Sequence, residues 1–154
     1  MAEGQERKSR RYTILLVDDE ESDRIPTRKV LEEAGYTVLE ADTFQDAFGR
    51  FESHRDSIDL VVADISLPDG NGCELTLSMR DQKPDLRVLF ISGHVGAEVC
   101  RYYGLDVTDL HFLRKPFAPE DLSLRVEAVL ASEDTFPRSY KPKVRTSSAD
   151  VSSD

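Results

Sequence analysis

Residues 12–20 read YTILLVDDE, a largely nonpolar run that ends in two aspartates and a glutamate. The same order recurs where residues 60–63 (LVVA) precede Asp64 and where residues 87–91 (RVLFI) precede Ser92. Nearly continuous β-branched and aliphatic residues are typical of strands that are covered on both faces of a parallel sheet. The repeated pattern therefore predicts a layered fold in which polar groups follow the ends of buried strands.

Five strands and five helices are predicted to alternate along the chain. The strands are expected at residues 12–17, 37–41, 60–63, 87–91 and 111–113. Nonpolar residues at helical spacing predict helices at residues 22–34, 43–51, 73–79, 95–103 and 119–130. This alternation indicates an α/β fold, a doubly wound parallel sheet with helices on both faces. Pro26 conflicts with the first helix, which must either begin after residue 22 or kink at the proline.

The charge of the chain is concentrated in its centre. The formal net charge is −10, and residues 12–131 alone carry 24 acidic against 12 basic side chains. Such an acidic region repels the phosphate backbones of nucleic acids. Direct binding of DNA or RNA is therefore not expected. Residues 1–11 and 132–154 are rich in polar residues, and we expect a flexible N-terminal arm and a flexible tail or linker there. Residues 12–131 are expected to form one domain.

The sequence contains no recognisable pattern for secretion, membrane insertion or disulfide bonding. Cys73 and Cys100 do not suggest a disulfide framework, and no segment has the roughly 18 consecutive nonpolar residues of a membrane helix. The charged N-terminus lacks the nonpolar stretch of a secretory signal, so a cytoplasmic protein is expected. His54, His94 and His111 lack the spacing of metal ligands and are expected at the surface or at a sheet edge.

Polar side chains follow four of the five predicted strands. They are Asp18 and Asp19 after the first strand, Asp64 after the third, Ser92 after the fourth and Lys115 after the fifth. In open α/β sheets, sites form beyond the carboxyl ends of the strands, where strand order reverses. Mg²⁺ relieves the repulsion between close carboxylates, and a carboxylate can attack phosphorus to give an aspartyl-phosphate. The sequence therefore predicts a Mg²⁺-dependent site for phosphoryl transfer.

Four segments in this order, LLVDDE, VVADISLPDGNG, FISG and LRKPF, resemble the signature segments of bacterial response-regulator receiver domains. The resemblance covers about residues 12–131 and implies a five-stranded sheet of order 2-1-3-4-5. It implies that Asp64 is the phosphoacceptor, assisted by Lys115 and Ser92. The peptide before Pro116 is cis in that family, and this would aim Lys115 into the site.

The same resemblance implies a metal site. Asp18, Asp19 and Asp64 would hold Mg²⁺, or Mn²⁺ in its place, together with the backbone carbonyl of Ser66. Asp19 is expected to be a direct ligand and Asp18 to act through water.

A conformational switch is also implied. Ser92 would couple to the aromatic ring of Phe112, and Ser66 and His94 would tune the lifetime of the phosphoryl group. The surface expected to change comprises residues 95–103, the fifth strand and residues 119–130.

The partners implied by the resemblance are proteins. A sensor histidine kinase or a histidine phosphotransfer protein would donate the phosphoryl group, and an unidentified downstream protein would read the changed surface. A phosphorylation-dependent homodimer through residues 119–130 is a further expectation. The chain resembles both stand-alone regulators and the C-terminal receivers of hybrid sensor kinases. It would catalyse its own phosphorylation and dephosphorylation without turning over an external substrate.

Two alternatives remain open. A degenerate receiver acts only as a protein-interaction module, but such chains usually lose an acid or the lysine, and none is missing here. A phosphatase of the haloacid-dehalogenase type also uses a doubly wound sheet, Mg²⁺ and an aspartyl-phosphate. Its nucleophile, however, belongs in a DxDx[TV] run after the first strand, where residues 18–22 read DDEES.

Overall fold

The computed structural model describes residues 11–93, 96–105 and 109–132, so the predicted arm and tail lie almost wholly outside the described residues. Its strands are β1 Thr13–Val17, β2 Thr37–Ala41, β3 Ile58–Asp64, β4 Ser66–Leu67, β5 Gly70–Asn71, β6 Arg87–Ser92 and β7 Phe112–Arg114. Its helices are α1 Glu21–Glu33, α2 Phe44–Ser53, α3 Gly72–Gln82, α4 Gly96–Tyr102 and α5 Pro119–Ala131. A short 3₁₀ turn, Asp109–His111, precedes β7.

The main sheet is parallel and has the strand order β2-β1-β3-β6-β7. This confirms the predicted order 2-1-3-4-5, since β6 and β7 are the fourth and fifth strands of that sheet. The two-residue strands β4 and β5 pair antiparallel in a separate hairpin that the sequence reading did not predict. Because Val17 pairs with Ala63, the residues that follow them at the ends of β1 and β3 lie at the same edge of the sheet.

Two nonpolar layers cover the sheet, and β1 contributes to both. Leu15 and Val17 pack into the cluster formed with α2, α3 and α4, whereas Ile14 and Leu16 pack into the cluster formed with α1 and α5. All four side chains are fully buried. Successive residues of a strand face opposite sides of the sheet, so burial of both faces requires the uninterrupted nonpolar run seen in the sequence.

Pro26 lies inside α1, which begins at Glu21, so the alternative of a later helix start is wrong. The helix accommodates it because Pro26 is exposed and stands in the second turn. There it removes only the hydrogen bond to the carbonyl of Ser22, and the fixed φ of proline agrees with helical geometry. The remaining helices begin and end within three residues of the predicted positions.

The histidines differ in their surroundings. His54 is exposed at the end of α2, as expected, while His94 lies outside the described residues. His111 is only 2% exposed and therefore not a surface residue, but it directly precedes β7, which is an edge strand, in agreement with the sheet-edge alternative. The 3₁₀ turn that carries it packs against β6 and α5, and this tertiary contact buries the ring. Within the described ranges, every helix is too short or too polar to cross a membrane.

Candidate functional site

Three carboxylates converge where β1 and β3 end. Carboxylate oxygens of Asp18, Asp19 and Asp64 all lie within 4.8 Å of one another. Asp18 is fully buried and Asp64 is 7% exposed, whereas Asp19 is exposed to solvent. The parallel register of β1 and β3 explains this convergence, because Val17 pairs with Ala63 and the next residues, Asp18 and Asp64, therefore lie at the same level.

The ammonium group of Lys115 lies among carboxylates. Its Nζ is 2.9 Å from Oδ2 of Asp64, 3.1 Å from Oδ2 of Asp18 and 3.1 Å from Oδ2 of Asp23. The position of Lys115 is set by its backbone N–H, which donates to the carbonyl of Ser92 at 2.8 Å. The peptide between Lys115 and Pro116 is cis, as predicted.

The electrostatics of the cluster favour a bound cation. Burial raises the pKa of Asp18, although the backbone N–H of Glu20 and the charge of Lys115 oppose the shift. For Lys115, burial acts to lower the pKa, but the hydrogen bond to Asp64 and the charge of Asp18 outweigh it and raise the pKa. One ammonium group faces four carboxylates, those of Asp18, Asp19, Asp23 and Asp64. This donor set of hard oxygens fits Mg²⁺.

The segment from Asp64 to Gly72, hereafter the acceptor loop, is fixed by its own hydrogen bonds. The backbone N–H of Ser66 donates to Oδ1 of Asp64 at 3.1 Å, and the N–H of Gly72 donates to the carbonyl of Ile65 at 2.8 Å. A Cβ atom on Gly72 would lie 2.5 Å from the carbonyl oxygen of Asp64, so the loop closes only with glycine there. Ser66 itself is exposed at the start of the hairpin.

Asp69 anchors the acceptor loop to the neighbouring helix. Its carboxylate accepts hydrogen bonds from the backbone N–H groups of Phe44, at 2.7 Å, and Gln45, at 3.1 Å, in the first turn of α2. These bonds lower the pKa of Asp69, the bond from Phe44 contributing most. The carboxylate therefore stays ionised and ties the loop to a helix whose N-terminus favours negative charge.

Ser92 and Phe112 lie on the two strands beyond β3. Ser92 ends β6 and is 2% exposed, and a Cβ atom on Gly96 would lie 2.5 Å from its Oγ, so α4 begins in close contact with this hydroxyl. Phe112, in β7, is half-buried and packs against the nonpolar cluster on the α4 side of the sheet. Its carbonyl accepts a hydrogen bond from Nη1 of Arg125 at 2.6 Å.

Sequence reasoning missed two residues of α1 that complete the cluster. Asp23 bonds to Lys115, and Arg24 donates through Nη1 to the backbone carbonyl of Asp18 at 2.9 Å and through Nε to Glu40 at 2.8 Å. One signal was available, because Asp23 follows Asp19 by four residues at the start of a predicted helix. That spacing places it in the first helical turn after the acidic pair, close to the same strand end.

A cleft of about 350 Å³ opens over these groups. Its lining combines the carboxylates and the lysine with the start of the acceptor loop, namely Asp19, Glu20, Asp23, Asp64, Ser66, Leu67, Pro68 and Lys115. A nearly buried carboxylate, a neighbouring ammonium group and further carboxylate oxygens therefore face one solvent-accessible space. This combination suits transfer of a phosphoryl group to a carboxylate.

Comparison with known proteins agrees with this geometry. The family model of the response regulator receiver domain matches residues 14–127. The sensor kinase CckA of Brucella abortus is 33% identical over 122 residues, which cover 79% of this chain and 13% of the kinase. The transcriptional regulatory protein PhoP of Bacillus subtilis is 34% identical over 127 residues, which cover 82% of this chain and 52% of the regulator. The chain therefore spans about half of the length of PhoP and a much smaller share of the length of CckA.

Solved structures with the same fold include a domain of similar size. The non-phosphorylated receiver domain of HemR from Leptospira biflexa is 33% identical, with a TM-score of 0.69. The similarity covers 79% of this chain and 96% of that one. The shared region thus corresponds to nearly the whole of the solved domain.

Proposed function

This chain belongs to the family of response regulator receiver domains of two-component signalling, and on that premise we propose that Asp64 accepts a phosphoryl group in a Mg²⁺-dependent reaction. The observation that carries the proposal is the contact of Lys115 with both Asp64 and Asp18 beneath an open cleft. A lysine held there neutralises charge where a phosphoryl group would arrive, and such charge stabilisation accounts for most of the catalysis of phosphoryl transfer.

In the proposed reaction, a carboxylate oxygen of Asp64 attacks the phosphorus atom of the donor. A new O–P bond forms while the bond from phosphorus to the donor's nitrogen or oxygen breaks, and the donor leaves with that electron pair. The backbone N–H of Ser66, 3.1 Å from Oδ1 of Asp64, fixes the orientation of the nucleophile. Lys115, already 2.9 Å from Oδ2, remains close enough to bond an oxygen of the transferred group.

Asp18, Asp19, Asp64 and the backbone carbonyl of Ser66 would hold the Mg²⁺ ion, and Mn²⁺ would substitute for it. When bound, the ion supplies positive charge to the phosphoryl oxygens. Without it, one lysine balances four carboxylates, and the approach of an anionic donor is opposed by the excess negative charge. Asp23 shares Lys115 with the acceptor and so holds the ammonium group over the cleft before a donor binds.

The proposed switch begins at Ser92. Its hydroxyl would bond the new phosphoryl group, which carries roughly −1.5 to −2 charge. Movement of Ser92 would be transmitted to α4, whose first residue, Gly96, packs on the hydroxyl, and to Phe112 in the cluster that α4 helps to form. Coupling of this kind is typically worth about 1–3 kcal/mol. Ser66 and His94 would tune how long the phosphoryl group lasts.

A protein partner would read the change on the surface of α4, β7 and α5. Tyr102, 81% exposed in α4, and Leu124, 65% exposed in α5, are large nonpolar side chains on the helices that precede and follow β7. The same surface would serve a phosphorylation-dependent homodimer. The donor would be a sensor histidine kinase or a histidine phosphotransfer protein. We place these exchanges in the cytoplasm, where free thiols such as Cys73 and Cys100 are ordinary.

The geometry favours this function over the two alternatives. A haloacid-dehalogenase-type phosphatase would use the aspartate after the first strand as nucleophile. Asp18 holds that position but is fully buried, with Oδ1 bonded to the N–H of Glu20 and Oδ2 bonded to Lys115. A degenerate receiver would lack part of the constellation, whereas Asp18, Asp19, Asp64 and Lys115 are all present and adjacent.

The test is to incubate the protein with acetyl phosphate and Mg²⁺ and to measure its intact mass. We expect a gain of one phosphoryl group that is lost in Asp64→Asn and retained in Asp56→Asn, a matched change of an exposed carboxylate. Chelation of the metal should prevent the gain, and Mn²⁺ should restore it. A gain that persists in Asp64→Asn would move the phosphorylation site elsewhere.

A further inference from the structure

The two cysteines, which the proposed function does not use, lie side by side in the interface between two helices. Cys73 is the second residue of α3 and Cys100 is the fifth residue of α4. Their sulfur atoms are 3.2 Å apart, both residues are fully buried, and both are free thiols. A disulfide bond is about 2.05 Å long, so the sulfurs need to approach by little more than about 1 Å.

We propose that Cys73 and Cys100 form an oxidation site, in which a peroxide or a small disulfide converts the two thiols to an intrachain disulfide that ties α4 to α3. With hydrogen peroxide, one thiolate sulfur attacks an oxygen, the O–O bond breaks and hydroxide leaves, which gives a sulfenic acid. The second sulfur then attacks the first, the S–O bond breaks and water leaves. Two thiols lose two protons and two electrons, and the peroxide is reduced to two waters.

The contact makes the two thiols unequal. The hydrogen bond to Cys100, together with burial, raises the pKa of the Cys73 thiol, so Cys73 keeps its proton. The same hydrogen bond, helped by the charge of Arg101, lowers the pKa of Cys100 despite burial. In the closed arrangement the contact therefore favours the thiolate, which is the nucleophile, on Cys100.

Access to the pair depends on local opening of α4. This helix has seven residues, the shortest among the described helices, and isolated helices of that length are marginal in water. Local opening of such an element costs less than global unfolding, so small oxidants reach the sulfurs without denaturation. Oxidation is therefore slower than that of an exposed thiol. Its product is the disulfide with the neighbouring cysteine and not a mixed disulfide with the oxidant.

The disulfide would act on the proposed switch, and this consequence rests on the proposed function. Gly96 begins α4 against the hydroxyl of Ser92, and Cys100 belongs to the same nonpolar cluster as Phe112. A covalent bond from Cys100 to Cys73 holds α4 against α3. The oxidised protein accepts a phosphoryl group on Asp64 but no longer transmits it to the surface of α4.

The experiment uses the full chain, reduced and then equilibrated with a glutathione redox buffer, without Mg²⁺ or phosphodonor. Free thiols are then blocked with N-ethylmaleimide in denaturant, and the intact mass is measured. We expect a form with no maleimide and two hydrogens fewer, which dithiothreitol converts to the doubly labelled form. The equilibrium constant for forming the disulfide from the two thiols should be at least about tenfold larger in the folded protein than in urea. This factor corresponds to a difference of about 30 mV in reduction potential.

The variants Cys73→Ser and Cys100→Ser serve as controls. The one thiol that remains in each should carry either one maleimide or one glutathione. Asp64→Asn should form the disulfide as readily as the unchanged protein, so failure of the phosphorylation proposal and failure of this one are distinguishable. Two outcomes would overturn the proposal. One is double labelling of the folded protein under oxidising conditions, and the other is a disulfide that forms equally well in urea.

Discussion

Two connections leave the same edge of the sheet and differ in how they are held. The acceptor loop follows β3 and is fixed by hydrogen bonds to its own backbone, to the Asp64 carboxylate and to α2. The connection from Ser92 to Gly96 follows β6. Among its described residues, the carbonyl of Ser92 accepts from the N–H of Lys115 at 2.8 Å, and the N–H of Gly96 donates to the carbonyl of Gly93 over a longer 3.4 Å. Gly96 also lies in close contact with the side chain of Ser92.

This difference matches the two tasks that we propose for the site. A nucleophile must keep its geometry to react, and the backbone N–H of Ser66 orients the Asp64 carboxylate. A switch must have two arrangements of similar free energy, and a contact made through a small side chain can be rearranged at lower cost. We infer that the first connection positions the chemistry and that the second transmits it.

The largest effect is expected from Gly72→Ala. The added Cβ atom would lie 2.5 Å from the carbonyl oxygen of Asp64 and 3.1 Å from the Cα atom of Ile65, so the backbone of the acceptor loop must move. Overpacking of this kind costs about 2–3 kcal/mol, which we expect to see in urea denaturation. The rate of phosphoryl uptake from acetyl phosphate should fall as well, because the displaced residue is the proposed acceptor.

Gly93→Ala is the matched control in the other connection. A Cβ atom on Gly93 would have no neighbour within 4 Å, so the free energy of unfolding should change by less than about 0.5 kcal/mol. Equal losses in Gly72→Ala and Gly93→Ala would contradict the contrast between the two connections.

The sheet could be predicted from the sequence because strands that are buried on both faces consist of continuous nonpolar residues. β1 and β3 were recognisable from continuous nonpolar runs, and the positions of Asp18 and Asp64 followed from where those runs end. The hairpin of β4 and β5 was missed because strands of two residues carry no periodicity. Pro26 was ambiguous because the sequence alone does not say whether the one hydrogen bond it removes can be spared.

Sequence patterns could not predict contacts between elements that are distant along the chain. The bond from Asp23 to Lys115 depends on how α1 packs beside the end of β7, and the contact of Cys73 with Cys100 depends on how α3 and α4 pack. Local spacing fixes which face of a helix a residue occupies, but not the distance to a residue on another helix. His111 is the same case, since the packing of its turn decided its burial.

An intermediate effect is expected from Asn71→Ala. Asn71 caps α3 by accepting from the N–H of Glu74 at 2.9 Å, and its Nδ2 also donates to the hydroxyl of Tyr103, which follows α4, at 3.1 Å. Loss of an N-cap costs about 1 kcal/mol, and the further hydrogen bond adds to it. Thr43→Ala removes the equivalent cap of α2, to the N–H of Asp46, without touching α4.

We therefore expect Asn71→Ala to lower the free energy of unfolding more than Thr43→Ala does, by about 0.5–1 kcal/mol. Chemical denaturation of the two variants measures this difference. If the two losses were equal, the hydrogen bond between Asn71 and Tyr103 would contribute nothing to stability.

The smallest effect on stability is expected from Tyr103→Phe. The hydroxyl of Tyr103 accepts from Asn71 and donates to Glu74 at 3.3 Å, while the ring packs against the nonpolar cluster and would remain there in phenylalanine. The loss should be about 0.5–1 kcal/mol, as expected for the bond to Asn71, and it falls on the α4 side of the site. Opening of α4 should become more frequent, so hydrogen exchange of its amides and oxidation of Cys100 should both accelerate by about two- to fivefold, the factors that correspond to about 0.5–1 kcal/mol. Exchange of the Ser66 and Gly72 amides in the acceptor loop should stay unchanged, because their hydrogen bonds to Asp64 and Ile65 do not involve Tyr103. Equal acceleration in both connections would mean that they open together, and the division between a fixed acceptor and an adjustable switch would be wrong.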